Sequence, residues 1–205
     1  MMNVKLVLAS GSPRRRELLA LLGVPFHIKV SEAEEVITSS NPAKVTEELS
    51  RQKAEAVAEE LLREMTEDQS SCYIILGADT VVAADGEILG KPKNREDARQ
   101  MISLLQGRTH MVYTGVTLLF CQNGQKENLT FSEGTKVKVA PMSEKEIEDY
   151  IDTDEPYDKA GAYGIQGAFS KYIEGIEGDY FNVVGLPVHR VYEEMKKSGA
   201  IAQAD

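Results

Sequence analysis

The chain has 205 residues, 42% hydrophobic and 27% charged, enough to bury a core in one domain or in two small lobes. Its net charge of −10 argues against a nucleic-acid backbone or an anionic membrane as the main partner. Cys72 and Cys121 form neither a disulfide framework nor a zinc set, and no apolar run approaches a membrane span or a signal peptide, so the chain reads as cytoplasmic and reduced.

Val4 to Ala9 is an apolar run of strand length, and Leu18, Leu19, Leu21 and Leu22 then recur at helical spacing up to Gly23. Between them, Ser12 is a good N-cap and Pro13 suits the first helical position. Arg14, Arg15 and Arg16 sit at the positive end of the helix dipole, where each cation is disfavoured by roughly 0.3–1 kcal/mol. Either this is a solvated basic helix start, or free N–H groups, hydroxyls and guanidiniums form a polyphosphate cradle. The charge distribution suits a compact anionic ligand better than a long polyanion. Residues 1–30 hold five basic groups against Glu17 alone, a net of +4, which leaves −14 for the rest.

Val24 to Val30 predicts a second strand, leading to the acidic loop Ser31-Glu32-Ala33-Glu34-Glu35. That loop is a solvated turn or a source of oxygen ligands for a hard cation. The helix from Ala43 to about Met65 carries Val45, Leu49, Ala56, Val57 and Leu61 on one face, with Lys53 at its border. Lys53 either snorkels to solvent or reaches a site at the face's edge. Thr66 to Ser71 is a polar linker, and a division into lobes, if present, falls near residues 60–70.

Tyr73 to Ala83 is the strongest strand, near-continuously apolar as a strand covered on both faces should be. Asp79 and Thr80 interrupt it. A buried, unpaired Asp79 would be costly, so it meets a metal, a cation or a wet cleft, or else bonds backbone at a bulge. Asp85-Gly86 predicts a hairpin turn, and the return strand Glu87 to Gly90 delivers Lys91. Asn94 caps a helix to Gln106, Thr109 to Phe120 and Leu129 to Val139 pair around an Asn123-Gly124 turn, and Ser143 with Glu146 spells a capping box. Residues 141–160 carry eight acids against Lys145 and Lys159 and read as a solvated face.

Residues 161–186 hold six of the sixteen glycines, which permits tight turns and close backbone approach to a ligand. Gln166 among them either reads a base edge through its amide or caps a turn. A last helix runs from Val188 to about Ser198. Mixed strands and helices point to α/β or α+β. The inventory suits metal-assisted phosphoryl or nucleotidyl chemistry. His27, His110 and His189 lie in no nucleophile-elbow context, and no Walker sequence is present.

Ala9-Ser10-Gly11-Ser12-Pro13-Arg14-Arg15, Gly77-Ala78-Asp79-Thr80-Val81-Val82, Gly90-Lys91-Pro92, Asp158 to Gly167 and Asn182 to Pro187 together resemble the Maf family of nucleoside triphosphate pyrophosphatases. The resemblance implies an elongated α/β fold, a two-lobed mixed sheet flanked by helices with a nucleotide cleft between the lobes, within one Maf-like domain. It implies hydrolysis of a nucleoside triphosphate to monophosphate and pyrophosphate with Mg²⁺ or Mn²⁺, commonly in a homodimer. By position, Asp79 matches the family's catalytic acid, and Arg14, Thr80 and Gln166 match positions tied to substrate choice. Glu34 and Lys91 match cleft residues, with Asp79 and Glu34 the implied metal ligands; Glu32 or Glu35 are alternatives to Glu34. Ser12, Arg15, Lys53 and Lys159 are further binding residues, and Arg16 matches none. The glutamine at 166 resembles the branch acting on dTTP and UTP. A nucleotide-binding regulatory protein of cell division, with incidental hydrolysis, is the rival that the family's link to septum formation suggests.

Overall fold

The molecule is described here by a computed structural model covering residues 4–30, 32, 34–64, 72–122 and 125–201. The organising strand is β3 (Cys72–Ala84), and both of its edges are used. On one edge β5 (Thr109–Gln122) runs antiparallel along its length, from Tyr73 opposite Cys121 to Ala83 opposite Met111. On the other edge two strands share the space. Strand β1 (Val4–Ala9) runs parallel to β3 and stops with Ala9 opposite Gly77. Strand β4 (Glu87–Leu89) pairs antiparallel to it, with Leu89 opposite Val82. Residues Ala78 to Val81 lie between the two partners, so the sheet opens beside Asp79 and Thr80. The gap sits at the carboxyl end of β1, the place where open α/β sheets form ligand crevices.

The remaining strands extend the sheet on both sides. Strand β2 (Phe26–Ile28) is parallel to β1, β6 (Gln125–Val139) is antiparallel to β5, and β7 (Ile173–Glu177) is antiparallel to β6. The order is β2-β1-β3-β5-β6-β7, with β4 on β3. The turn between β3 and β4 has Asp85 at φ 51° and Gly86 at φ 84°, the left-handed pair that a two-residue hairpin requires. Gln122 pairs with Gln125. The Asn123-Gly124 turn, the Thr66 to Ser71 linker, and Ser31 and Ala33 of the acidic loop lie outside the described residues.

The apolar run of β3 is explained by cover on both faces. Ile74, Leu76 and Ala78 pack with Leu6, Leu8, Leu19, Leu118 and Leu186, while Ile75 packs oppositely with Val7, Ala54, Val57 and Ala58. Each fully buried leucine, isoleucine or valine side chain here is worth about 1.5–3 kcal/mol. A separate cluster at the far end of β3 gathers Val82, Ile102, Val112, Ile151 and Phe169.

Helix α2 (Pro42–Glu64) lies unusually close to the sheet. A Cβ on Gly77 would stand 2.1 Å from the Ser50 carbonyl oxygen, and one on Gly115 would stand 2.2 Å from that of Thr46. Hydroxyls fill the remaining contact: Ser50 Oγ meets Thr117 Oγ1 at 3.0 Å, and Thr46 Oγ1 meets Ser132 Oγ at 3.1 Å. The close approach carries Lys53 over the gap in β3.

The other helices are α1 (Pro13–Ala20), α3 (Arg95–Leu105), α4 (Glu144–Ile151), α5 (Tyr180–Val184) and α6 (Val188–Lys197). The Asn94 cap and the Ser143–Glu146 capping box both form. The acidic face of α4 is not simply solvated, because Arg95 and Arg99 of α3 bind Glu144, Glu148 and Asp152. In and just before the glycine-rich segment the structure adds β7, α5 and three short 3₁₀ turns, at Glu155–Asp158, Ala160–Ala162 and Ala168–Tyr172. Among the described residues, no helix is long and apolar enough to cross a membrane.

Candidate functional site

The turn after β1 folds as its residue types dictate. Ser12 caps α1 by accepting the Arg15 N–H at 3.4 Å, Pro13 occupies the first turn, and Ser10 Oγ accepts the Ser12 N–H. The three arginines then diverge. Arg16 is exposed and stands outside the cavity that Arg14 and Arg15 line beside the gap in β3. Arg15 is clamped: its Nε donates to the Gly185 carbonyl at 2.9 Å, Nη1 to Ser10 Oγ at 3.3 Å and Nη2 to Thr80 Oγ1 at 3.0 Å. Gly185 follows α5 with φ 129°, a conformation an L side chain rarely adopts, and so presents that carbonyl. Thr80 passes its own proton to Thr114 at 2.9 Å, and Thr114 donates to the Asn182 carbonyl at 2.9 Å. Burial lowers the Arg15 pKa, with Asp79 pulling the other way. An arginine guanidinium keeps its proton in proteins, so the group stays charged.

Lys53 meets two carboxylates. Its Nζ donates to Asp79 Oδ1 and pairs with Glu35 Oε1 at 3.2 Å. Asp79 is 15% exposed, so this ammonium is what makes a carboxylate tolerable in an otherwise apolar strand. Of the three glutamates in the acidic loop, Glu35 lines the cavity; Glu32 and Glu34 are exposed and do not. Two converging carboxylates suit a hard divalent cation in ligand type. Among the described residues no cluster of three or more His, Cys, Asp or Glu side chains is placed to hold a metal ion. Such a cation would therefore complete its shell with water and phosphate oxygens, as Mg²⁺ commonly does.

The opposite wall is tied to the first by one backbone bond. The Gly161 N–H donates to the Gly90 carbonyl at 3.0 Å, which brings Lys91 beside the Lys159 segment. Lys159 Nζ donates to the Glu155 carbonyl at 2.6 Å and pairs with Asp158, which also meets Arg14 at 3.6 Å. Gln166 stands at the tip of a turn closed from Gly167 N–H to the Gly164 carbonyl, with Tyr163 packed in one core and Ile165 against another.

All these groups line one cavity of about 1020 Å³. Every site residue expected from sequence is there except Glu34: Ser12, Arg14, Arg15, Lys53, Asp79, Thr80, Lys91, Lys159 and Gln166. Lining cations (Arg14, Arg15, Lys53, Lys91, Lys159) outnumber lining carboxylates (Glu35, Asp79, Glu155, Asp158) by one, within a chain of net charge −10. Val45, Leu49, Val81 and Ile88 add an apolar patch. Sequence reasoning missed Glu155, whose neighbours read as a solvated acidic run.

Fold and site together define an α/β protein with a crevice that is cationic at a helix start, carboxylate-bearing on the central strand, and large enough for a nucleotide. The sequence pattern of Maf-like proteins matches residues 5–198, and the chain belongs to the Maf family. A dTTP/UTP pyrophosphatase of Agathobacter rectalis is 50% identical over 202 residues, covering 95% of this chain and 98% of that protein. One of Lachnoclostridium phytofermentans is 46% identical, covering 95% of each chain. One of Bacillus cereus strain ATCC 14579 is 47% identical, covering 94% of this chain and 95% of its own.

Proposed function

We propose that this protein is a nucleoside triphosphate pyrophosphatase that hydrolyses dTTP and UTP to the monophosphate and pyrophosphate. The observation that carries the reading is the single cavity in which the clamped Arg15, the Lys53–Asp79 pair and Gln166 face one another. The near-full-length similarity to proteins named dTTP/UTP pyrophosphatase supports the same activity and places it among hydrolases.

Water attacks the α-phosphorus in line, the α–β bridging P–O bond breaks, and its electron pair leaves on pyrophosphate. Arg14, Arg15 and Lys91 neutralise the β- and γ-phosphates as that charge develops. Thr80 and Gly185 fix the Arg15 fork before substrate arrives, so no reorganisation is needed at the moment of reaction. Lys53 orients the Asp79 carboxylate by donating to its Oδ1, and Asp79 takes the proton that the attacking water loses. Asp79 and Glu35 would hold Mg²⁺ or Mn²⁺, which when bound supplies Lewis-acid polarisation of the phosphate oxygens. Gln166 reads the pyrimidine edge, because an amide pairs with the adjacent N–H and carbonyl of uracil or thymine. The homodimer and the cytoplasmic location belong to the same reading and are checked by light scattering and by fractionation.

The test is a panel of ribo- and deoxynucleoside triphosphates with Mg²⁺ or Mn²⁺, read as pyrophosphate released. Asp79→Asn should abolish turnover with the fold intact. Gln166→Glu should lower kcat/KM for dTTP about tenfold or more, since a carboxylate replaces the N–H donor and leaves a base carbonyl unpaired. Tight binding of triphosphates with no turnover of any would remove the enzyme reading and leave the regulatory one.

A further inference from the structure

The carboxylate of Glu155 stands out once the rest of the cavity is accounted for. It belongs to the acidic run before the glycine-rich segment, yet it turns inward. Its Oε2 accepts the Ala168 N–H at 2.6 Å, and its Oε1 accepts the Phe169 N–H at 3.4 Å and the Tyr150 hydroxyl at 3.1 Å. The backbone carbonyl of the same residue accepts from Lys159. A carboxylate that receives two successive N–H groups and a phenol is fixed in a way a surface glutamate is not.

The glycines on either side of Gln166 answer to this carboxylate. A Cβ on Gly167 would stand 2.2 Å from Glu155 Oε2, and one on Gly164 would stand 2.7 Å from the Lys159 chain and 3.5 Å from Glu155 Oε1. Their bareness therefore makes room for the protein's own anchor, and the turn 164–167 is pressed onto it. Gln166 is the exposed tip of that turn and makes no structural contact comparable to the anchor's.

We infer that Glu155 is a positioning residue for base recognition: it pins the turn 164–169 from behind and so sets where the Gln166 amide meets the base. The inference rests on the pyrophosphatase reading above. It separates the base grip, which depends on Glu155, from the phosphate grip of Arg14, Arg15 and Lys91, which does not.

That separation sets the experiment. In Glu155→Ala the KM for dTTP should rise about tenfold with kcat changed less than about twofold, the pattern of lost uniform binding. Inhibition by inorganic pyrophosphate, which has no base, should keep its wild-type Ki. Glu155→Gln keeps the shape but sets an amide NH2 against one of the two N–H groups, so it should raise the KM for dTTP less than alanine does, about threefold; if the alanine variant does not fold, a wild-type KM in the glutamine variant overturns the inference. Amide exchange supplies a readout independent of turnover: Ala168 and Phe169 should exchange at least about tenfold faster in the folded variant than in the wild type. A wild-type KM for dTTP in a folded alanine variant would overturn the inference, as would a parallel rise in KM and in the pyrophosphate Ki. If the wild type turns over no triphosphate, the pyrophosphatase reading fails by itself. Exchange at Ala168 and Phe169 then still decides whether Glu155 holds the turn, and unchanged exchange refutes it.

Discussion

Gly77→Ala is the most direct probe of how the site is held. The new Cβ would stand 2.1 Å from the Ser50 carbonyl oxygen, 3.0 Å from the Ala54 nitrogen and 3.1 Å from Ala54 Cβ. Ordinary contact begins near 3.4 Å, so α2 or β3 must move by 3.4 minus 2.1, or 1.3 Å, to accommodate one methyl. The obstructing atoms are mostly helix backbone and cannot rotate away. Overpacking of this kind costs typically about 1–3 kcal/mol, and the upper end is expected here. The same movement lifts Lys53 from Asp79, and a misplacement of about 1 Å near the chemistry can cost about 10²-fold in rate. Urea denaturation gives the first quantity and pyrophosphate release the second, with Gly175→Ala as a control because its Cβ would meet nothing within 4 Å. Stability within about 0.5 kcal/mol of wild type together with wild-type kcat/KM would refute the argument, because surface-like tolerance is incompatible with a helix seated on that glycine.

Two further outcomes follow from the same geometry. Arg15→Lys keeps the charge but has no planar fork to reach Gly185, Ser10 and Thr80 together; kcat/KM should fall about 10- to 100-fold, and steady-state kinetics that match the wild type would contradict the clamp. His110 is 3% exposed with Nε2 at 2.7 Å from the Tyr163 hydroxyl, and burial lowers its pKa from 6.5 to about 4. The unfolded chain therefore takes up a proton below pH 6.5 that the native protein refuses until about pH 4, and stability falls across that window. The full loss is on the order of 3 kcal/mol. Denaturation midpoints measured from pH 7 to 4 should show a decline that His110→Phe flattens, and an unaltered slope in that variant would exclude the histidine as its source.

Local rules carried much of the fold. The β3 run, the Asp85-Gly86 turn, the Ser12 and Asn94 caps and the Ser143 box are each decided by residues within a few positions, and each forms. Strand β7 escaped because Gly175 interrupts Ile173–Glu177, an edge strand with exposed side chains that shows no alternation. Helix α5 is five residues long, too short for a period to register. At the site, Arg14, Arg15, Asp79 and Thr80 announce themselves because charge or a hydroxyl stands where a purely structural sequence would have neither. The choice among Glu32, Glu34 and Glu35 turns on how the loop lies against Lys53, which spacing does not encode. Glu155 shows the same limit from the other direction. Its partners at Ala168 and Phe169 lie 13 and 14 residues away, and no local pattern separates it from the acids of α4 that pair with arginines at the surface. The glycines around Gln166 signal close approach to a ligand, whereas the groups that Gly167 and Gly164 crowd are the protein's own carboxylate and the Lys159 chain.

The buried hydroxyls under α2 also exclude a misfolded alternative. Thr46, Ser50 and Ala54 recur every fourth residue on the face that meets the sheet, so a slip of the helix by one turn would keep small residues over Gly77 and Gly115. The slipped state, however, would set Ala54 where Ser50 meets Thr117 and take a hydroxyl partner from a fully enclosed threonine. It would also bring Val57 to the place of Lys53, leaving Asp79 facing a hydrocarbon. Both faults are costly in a dry interior. The hydroxyl stripe thus works as a detent on the helix, and the ammonium over the crevice inherits its position from contacts made on strands β5 and β6.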